Sequence, residues 1–293
     1  MIAKARGATV PRFGHNDVEH AERLLRTAGR PPMVLAMDGI NSMTGNPPDL
    51  PAFAVLARAH GALLYVDDAH GFGVVGERGG YEPSPYGRRG NDIVRWFGEG
   101  YDHVVLTAGF SKAYSSLLAF VAGPARLRHY LKLMVPTYCY GGPVPVAALA
   151  TTLLGLEANE RRGDELRAQL HHRTRTLLDH LDKLGIATSN TPGFPLVELA
   201  LADPEDAPAA GRHLFDRGIY VTMAPTRWCP ARRSASGSSS PPPTPWSRST
   251  TCSPCSRRST TASASAAPTP EAVAPLPTAF APLTRLSNTS SIS

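Results

Sequence analysis

The stretch from Ala62 to Gly76, ALLYVDDAHGFGVVG, constrains the fold of this chain more than any other segment. It begins with five apolar residues, 62–66, a run typical of a strand that is covered on both faces. Two carboxylates and a histidine follow at once: Asp67, Asp68 and His70. Ligands bind just beyond the carboxyl ends of the strands in an open parallel sheet, so this stretch predicts a functional site.

The segments around this stretch alternate between short apolar runs and helical patterns, which predicts an α/β fold with a mainly parallel sheet. Strands are expected at 33–37, 62–66, 103–106 and 117–122, and helices at 18–28, 51–59 and 92–97. Asn16 or Asp17 is expected to cap the first helix, and Pro51 to lie at the first position of the second.

The second half of the chain begins with a long helical pattern, from Pro145 to Leu184, in which charged residues are interleaved. A strand at 194–200, a helix at 208–217 and a strand at 218–223 are expected to form the start of a small α/β unit. The predicted organisation is therefore a partial large domain at 1–144, linking helices at 145–185, a partial small domain at 186–225 and a low-complexity tail at 226–293.

The tail consists mainly of Ser, Pro, Thr, Ala and Arg, a composition that cannot bury enough apolar surface to order itself. When the tail is reverse-translated with G/C-rich codons and read one base earlier, the shifted frame can encode a strand followed by an amphipathic helix. These are the elements that the predicted small domain lacks. A change of reading frame near Cys229 is therefore a hypothesis that resequencing tests. Three of the four cysteines lie in this part of the chain, which leaves no disulfide framework in the body.

The net charge of +6 does not indicate a nucleic-acid partner, because most of it lies in the same tail. Residues 229–293 contain six arginines, no lysine and one acidic residue, whereas the preceding part carries 24 basic and 23 acidic side chains. No apolar run approaches the roughly 20 residues that cross a bilayer. The beginning of the chain lacks the apolar core of a signal peptide, so a cytoplasmic location is expected.

The second chemical feature is a lysine, Lys112, on a loop after the strand predicted at 103–106. A lysine in this position, near a carboxylate that ends a neighbouring strand, is the arrangement that pyridoxal 5'-phosphate (PLP) chemistry requires. The lysine forms a Schiff base with the cofactor's aldehyde. The carboxylate, here Asp67, keeps the pyridine nitrogen protonated so that the ring accepts electrons from a substrate carbanion.

Three motifs in order support this interpretation: DGINSMTG at 38–45, VDDAHGFGVVG at 66–76 and GFSKA at 109–113. Together they resemble the α-oxoamine synthases, which belong to the class II aminotransferase-like, fold type I PLP-dependent enzymes. This family includes 8-amino-7-oxononanoate synthase, 2-amino-3-ketobutyrate CoA ligase and serine palmitoyltransferase. The resemblance covers roughly residues 9 to 225.

The resemblance implies a role for each matching residue. Lys112 is the Schiff-base lysine, Asp67 pairs with the pyridinium nitrogen, and His70 donates a hydrogen bond to the cofactor's phenolic oxygen. Asp38 and Ser42 match positions that line the cofactor and substrate pocket. The implied reaction joins an amino acid to an acyl thioester, carried by coenzyme A or an acyl carrier protein, with loss of carbon dioxide. The implied assembly is a homodimer with sites at the interface.

The chain also departs from the family pattern. Gly109 stands where the family has a Thr or Ser that holds the cofactor phosphate, and Thr107 or Ser111 is the expected substitute. Asp38 stands where the family has Glu. Family chains are longer at the N-terminus and carry a substrate-carboxylate arginine in the small domain. The sequence is therefore expected to be a fragment without the N-terminal part of its large domain.

Four alternatives remain open at the level of sequence. One is an aminotransferase, or another amino-acid transformation, on the same scaffold. A second is a dinucleotide-binding protein that uses the glycines Gly71, Gly73 and Gly76. A third is a metal site made of His60 and the residues of the DDAH motif at 67–70. The fourth is a fragment that binds no cofactor.

Overall fold

The computed structural model describes residues 7–29, 32–80, 84–199, 201, 203 and 206–223. Among these residues, four strands form one sheet in the order β1-β2-β3-β4. The strands are β1 Val34–Asp38, β2 Leu63–Asp67, β3 Val104–Gly109 and β4 Ala119–Ala122. The first three are parallel and β4 runs antiparallel to β3, so the predicted mainly parallel sheet is confirmed.

Five helices of the described residues agree with the predicted positions to within a few residues, and two, at 125–134 and 136–139, were not predicted. They are α1 Val18–Ala28, α2 Leu50–Ala59, α3 Ile93–Trp96, α4 Ala125–Met134, α5 Pro136–Cys139, α6 Val146–Lys183 and α7 Ala207–Phe215. Asp17, and not Asn16, caps α1, because its Oδ1 accepts a hydrogen bond of 2.8 Å from the backbone N–H of His20. Pro51 lies in the first turn of α2, where no intrahelical N–H is needed.

The hydrophobic core lies on one face of the sheet. Successive side chains of a strand point to opposite faces, and Leu35, Leu64 and Leu106 all point to the face that α1 and α2 cover. Full burial of each such side chain contributes about 1.5–3 kcal/mol. On the opposite face Val34 is 60% exposed and Val121 is 52% exposed. Leu63 and Tyr65 of β2 are only half-buried on this face, so the apolar run is covered fully on one face and partly on the other, not fully on both as predicted.

The predicted linking helices form one helix, α6, of 38 residues. Its buried positions recur at spacings that keep them on one face of the helix, which packs along the body of the protein. They are Ala148, Thr152, Gly163, Arg167, Thr174, Leu178 and Leu181. None of the helices that the structure describes combines the length and the hydropathy needed to span a bilayer.

The two strands predicted for the small domain are wrong within the described residues. Residues 194–199 form no strand, because the side-chain amide of Asn190 takes the bonds that a sheet would offer: its Nδ2 donates to the carbonyls of Phe194 and Leu196. Phe194 and Leu196 pack instead into the hydrophobic core beside the sheet. Residues 218–223 pair with no described strand. The hypothesised change of frame near Cys229 lies outside the described residues.

Candidate active site

The candidate site lies at the edge of the sheet where the parallel strands end. The register places Asp38 of β1, Asp67 of β2 and Thr107 of β3 opposite one another in a single row. Residues opposite one another in a parallel sheet point to the same face. The loop that carries Lys112 leaves β3 at this same edge and returns as β4. The fold therefore gathers four of the predicted site residues.

Asp67 ends β2 with a half-buried carboxylate. Its Oδ1 accepts a hydrogen bond of 3.1 Å from the backbone N–H of Ala69, and the structure gives its side chain no other hydrogen bond within the described residues. The carbonyl of Asp67 accepts a 2.7 Å bond from the N–H of Gly39, which holds the loop after β1 against the end of β2. The carboxylate thus keeps acceptor capacity for a ligand at this edge.

His70 shares an electrostatic environment with the other predicted groups. Burial lowers the pKa of its imidazole, and the positive charge of Lys112 lowers it further, whereas the carboxylates of Asp38 and Asp67 act in the opposite direction. Lys112, Asp38 and Asp67 are therefore all close enough to His70 to act on its charge. The neutral imidazole is favoured at neutral pH, and it can both donate and accept a hydrogen bond.

Lys112 lies exposed between two buried aromatic anchors, Phe110 and Tyr114. Both rings pack against Phe72, with centroids 5.1 and 5.3 Å away, and Phe72 lies in the loop after His70. Gly73 is in direct contact with the lysine loop, because a Cβ there would lie 2.5 Å from Cβ of Ala113. Edge-to-face and tilted aromatic pairs contribute about 0.5–1.5 kcal/mol each beyond their buried area. The two loops of the site are therefore packed into one unit.

The remaining predicted residues take distinct positions. Ser42 donates from its hydroxyl and its backbone N–H to Oδ2 of Asp38, both at 3.4 Å, so these two residues form one polar turn after β1. The hydroxyl of Thr107 is buried and has no hydrogen-bond partner within the described residues. The Ser111 hydroxyl lies 3.4 Å from the position that a Cβ on Gly109 would occupy.

Asp68 is structural, and it accounts for two of the glycines. Its side chain is fully buried, and Oδ2 accepts a 2.9 Å bond from the N–H of Ile93 at the start of α3. Burial raises the pKa of this carboxyl well above its usual value. A Cβ at Gly39 or Gly71 would lie 2.5 or 2.1 Å from Oδ1 of Asp68, so glycine is required at both places.

The dinucleotide interpretation finds no support in this geometry. That fingerprint needs its glycines to open a helix that can hold a pyrophosphate at its N-terminus. Here residues 71–76 form turns and irregular backbone. Each glycine packs against protein: Gly71 against Asp68, Gly73 against Ala113, and Gly76 against the carbonyl of Arg88.

The metal interpretation also fails. No group of three or more His, Cys, Asp or Glu side chains in the described part of the chain could hold a metal ion together. His60 in particular caps the end of α2, where its backbone N–H bonds to the carbonyl of Leu56.

A residue that the sequence did not indicate is Arg167 of α6, whose side chain is only 4% exposed. Its guanidinium donates to the carbonyl of Gly73 at 3.2 Å, to Asn159 at 2.6 Å and to Asp164 at 2.5 Å. It therefore ties the long helix to the glycine loop that follows His70. In the sequence Arg167 stands among many surface charges, and only its spacing from the other buried positions of α6 distinguishes it.

A second contact that the sequence did not reveal joins the lysine loop to the same helix. The hydroxyl of Ser116 donates 2.8 Å to the carbonyl of Ala148, and the hydroxyl of Thr152 donates 2.9 Å to Ser116. Ser116 and Thr152 are both buried. They are 36 residues apart, so no local pattern relates them.

Comparison with known proteins places this geometry in a family. Residues 1–235 match the family model described as aminotransferase class I and II. The chain is 38% identical over 199 residues to 8-amino-7-oxononanoate synthase from Chromohalobacter salexigens, which covers 67% of this chain and 48% of that protein. It is 36% identical over 218 residues to the enzyme of the same name from Pseudomonas putida, with 74% and 52% covered.

A solved structure agrees with these relatives. Serine palmitoyltransferase from S. paucimobilis, with a bound PLP–myriocin aldimine, superimposes with a TM-score of 0.64 at 27% identity and covers 74% of this chain and 52% of that one. The predicted resemblance to the α-oxoamine synthases is confirmed by these names. The chain spans about half the length of the curated relatives it matches. The chain belongs to the aminotransferase class I and II family.

Proposed function

We propose that this chain carries the part of a PLP site that holds the cofactor's ring nitrogen and phenolic oxygen and provides the Schiff-base lysine. We propose further that the protein condenses an amino acid with an acyl thioester, as the α-oxoamine synthases do. The observation that carries the proposal is the meeting of Asp67, His70 and Lys112 at the carboxyl edge of the sheet. The family match and the PLP-bound neighbour support the cofactor.

The residues at this edge fit PLP in their chemistry. The set contains an amine, a carboxylate with open acceptor positions and an imidazole, which are the groups that the cofactor's aldehyde, ring nitrogen and phenolic oxygen require. Gly109 leaves room for a Cβ beside β3, since a Cβ there would meet only ordinary contacts at 3.4 Å or more. The Ser111 hydroxyl lies next to that space. Ser111 is therefore the better substitute for the missing phosphate-binding hydroxyl, whereas the oxygen of Thr107 is buried.

When bound, PLP would supply an aldehyde for covalent attachment and a ring that stabilises a substrate carbanion. Asp67 would hold a proton on the ring nitrogen, because its carboxylate ends β2 with open acceptor capacity. His70 would hold the phenolic oxygen with a neutral imidazole. Lys112 would provide the attachment point and then move a proton at its Nζ. Asp38 and Ser42 would line the pocket through their shared polar turn.

The homodimer and the domain division stay proposals as well. Many large apolar side chains between residues 117 and 154 are exposed, and a second copy of the chain would bury them. They are Leu117, Val121, Tyr130, Leu133, Met134, Tyr138, Tyr140, Val144, Val146, Leu149, Leu153 and Leu154. The proposed large domain ends near residue 144 and α6 links it to the part that follows, with a cytoplasmic location for the whole protein.

The test of the cofactor is a titration with PLP followed by visible absorbance and by reduction with borohydride. Wild type is expected to develop a visible band and to retain the cofactor after reduction, because Lys112 leaves β3 at the sheet edge of Asp67 and lies within electrostatic range of His70. Lys112→Ala should abolish both signals. Lys132→Ala is the matched control, since Lys132 is exposed on α4, away from the sheet edge, and should behave like wild type. Equal behaviour of wild type and Lys112→Ala would refute the assignment.

The aminotransferase remains the second candidate, because the family as a whole is described by that name. A full-length relative that carries this chain's motifs distinguishes the two. Acyl-thioester-dependent release of carbon dioxide from an amino acid supports the condensation. Transfer of the amino group to a 2-oxo acid, without a thioester, supports the aminotransferase instead.

A further inference from the structure

The loop that carries Lys112 is attached to α6 through an unusual arrangement of hydroxyl groups. Threonines inside a helix commonly donate to the carbonyl four residues earlier. Thr151, Thr174 and Thr176 of α6 all do so, each at 2.9 Å. Thr152 does not: its hydroxyl donates to Ser116, and Ser116 in turn donates to Ala148, which is the carbonyl that Thr152 would otherwise use.

The hydroxyl of Ser116 is thus inserted between Thr152 and the backbone of its own helix. Both side chains are buried, so neither bond is exchanged readily for water. The backbone N–H of Ser116 also donates 2.9 Å to the carbonyl of Phe110, which closes the loop around Lys112. Ser115, immediately before it, has a φ of 51°, a left-handed conformation that is uncommon for a residue other than glycine. Such a conformation persists where its surroundings determine it.

The other side of the site is attached to the same helix. Arg167 donates a hydrogen bond to the carbonyl of Gly73 in the loop after His70. Gly155 of α6 lies against the ring of Tyr114 in the lysine loop, because a Cβ at Gly155 would be only 2.9 Å from that ring. The helix therefore contacts the loop of His70 and the loop of Lys112 along one face. A helix is stiff over this length, so it can keep the two loops in a constant relation.

We propose that Ser116 and Thr152 are positioning residues that hold Lys112 in its place beside His70. The proposal rests on the proposed function for its chemical consequence, although the geometry of the lysine loop is independent of it. Ser116→Ala releases the loop without leaving an unpaired group, because Thr152 can then donate to Ala148 in the ordinary way. Thr152→Val removes only the bond from Thr152 to Ser116 and leaves the bond from Ser116 to the carbonyl of Ala148 in place.

The first readout needs no cofactor. In the free protein, Lys112, Asp38 and Asp67 are the charged groups that act on His70, so a displaced Lys112 changes its titration. NMR titration of His70, assigned by comparison with His70→Gln, is expected to show a higher pKa in Ser116→Ala and Thr152→Val. The matched controls are Ser115→Ala and Thr151→Val, which alter exposed neighbours that make no contact between loop and helix.

The second readout is the rate of covalent PLP attachment at Lys112. Loss of one buried hydrogen bond corresponds to a change of about 3- to 10-fold, so both variants should attach PLP slower by about that factor while the controls match wild type. Thr152→Ser keeps the hydroxyl and is expected to restore the wild-type rate and titration.

The outcomes separate this proposal from the proposed function. If His70 titrates alike in wild type, Ser116→Ala and Thr152→Val, all folded, the positioning role is refuted. Failure of Thr152→Ser to restore the wild-type behaviour also refutes it, because packing and not the hydroxyl would then be responsible. If wild type does not attach PLP at Lys112, the cofactor assignment fails, and the His70 titration still decides the positioning role.

Discussion

Substitution of Gly71 by Ala tests why a glycine follows His70 at the end of the central strand. The added Cβ would lie 2.1 Å from Oδ1 of Asp68 and 2.9 Å from Oδ2. The carboxylate has little room to retreat toward β1, because the same Oδ1 already lies against the backbone of Gly39, where even a Cβ would be only 2.5 Å away. Asp68 is fully buried, so no solvent-facing rotamer relieves the clash.

The magnitude follows from these contacts. A normal carbon–oxygen contact requires the carboxylate to move by more than 1 Å, which breaks the 2.9 Å bond from the N–H of Ile93 to Oδ2. Loss of this bond with a buried group left unpaired costs about 1–3 kcal/mol. Overpacking of a well-packed interior costs about 1–3 kcal/mol in addition. Gly71→Ala is therefore expected to lower the free energy of unfolding by about 2–6 kcal/mol, a large part of the stability of an ordinary domain.

Denaturant unfolding of the purified protein, followed by far-UV circular dichroism, measures this loss. Gly80→Ala is the matched control, because a Cβ there would meet nothing within 4 Å. In a double-mutant cycle, Asp68→Ala should remove most of the effect of Gly71→Ala, with a coupling energy of about 2 kcal/mol. A Gly71→Ala protein as stable as the Gly80→Ala control would refute the packing argument, and so would an additive double mutant.

Three further predictions concern the site. Gly109→Ser adds a Cβ that meets only ordinary contacts and carries a hydroxyl beside Ser111, so it should raise the affinity for PLP by about tenfold, measured by absorbance titration. Lys112→Gln removes a positive charge that lowers the pKa of His70, so NMR should show a higher pKa for His70 in this variant. An unchanged pKa would show that Lys112 does not act on His70. Burial raises the pKa of Asp68, so its contribution to stability is present below its unfolded pKa of about 4 and is lost as the pH rises through the folded value. Asp68→Asn should abolish this loss, and urea unfolding from acid to neutral pH should show the variant gaining stability relative to wild type.

Local patterns predicted the parallel part of the fold well, because each strand and helix there carries its own signal. The apolar run before Asp67 forms β2, and the Asp17 cap begins α1 where it was expected. The meeting of Asp38, Asp67 and Thr107 could be predicted because polar residues at the ends of parallel strands lie at one edge of the sheet. That edge is a consequence of topology and not of any single motif.

The features that local patterns did not predict depend on contacts between distant residues. The segment around Phe194 has the composition of a strand, but the amide of Asn190 takes its backbone bonds and the ring enters the large domain's core. The buried guanidinium of Arg167 depends on two distant glycines, because a Cβ at Gly90 or Gly163 would lie 2.6 or 2.9 Å from it. Such choices depend on what lies opposite in the folded chain, which propensity and periodicity do not describe.

Peptide mapping of the chain after incubation with PLP and reduction with borohydride is the most direct test of the central claim, that Asp67, His70 and Lys112 form one PLP site. The chain offers four lysines, Lys4, Lys112, Lys132 and Lys183, so each can be followed separately. The predicted result is one cofactor per chain, carried by the peptide that contains Lys112, and a much lower yield in Asp67→Asn. Labelling spread over the exposed lysines, or a yield at Lys112 that does not depend on Asp67, would contradict the claim.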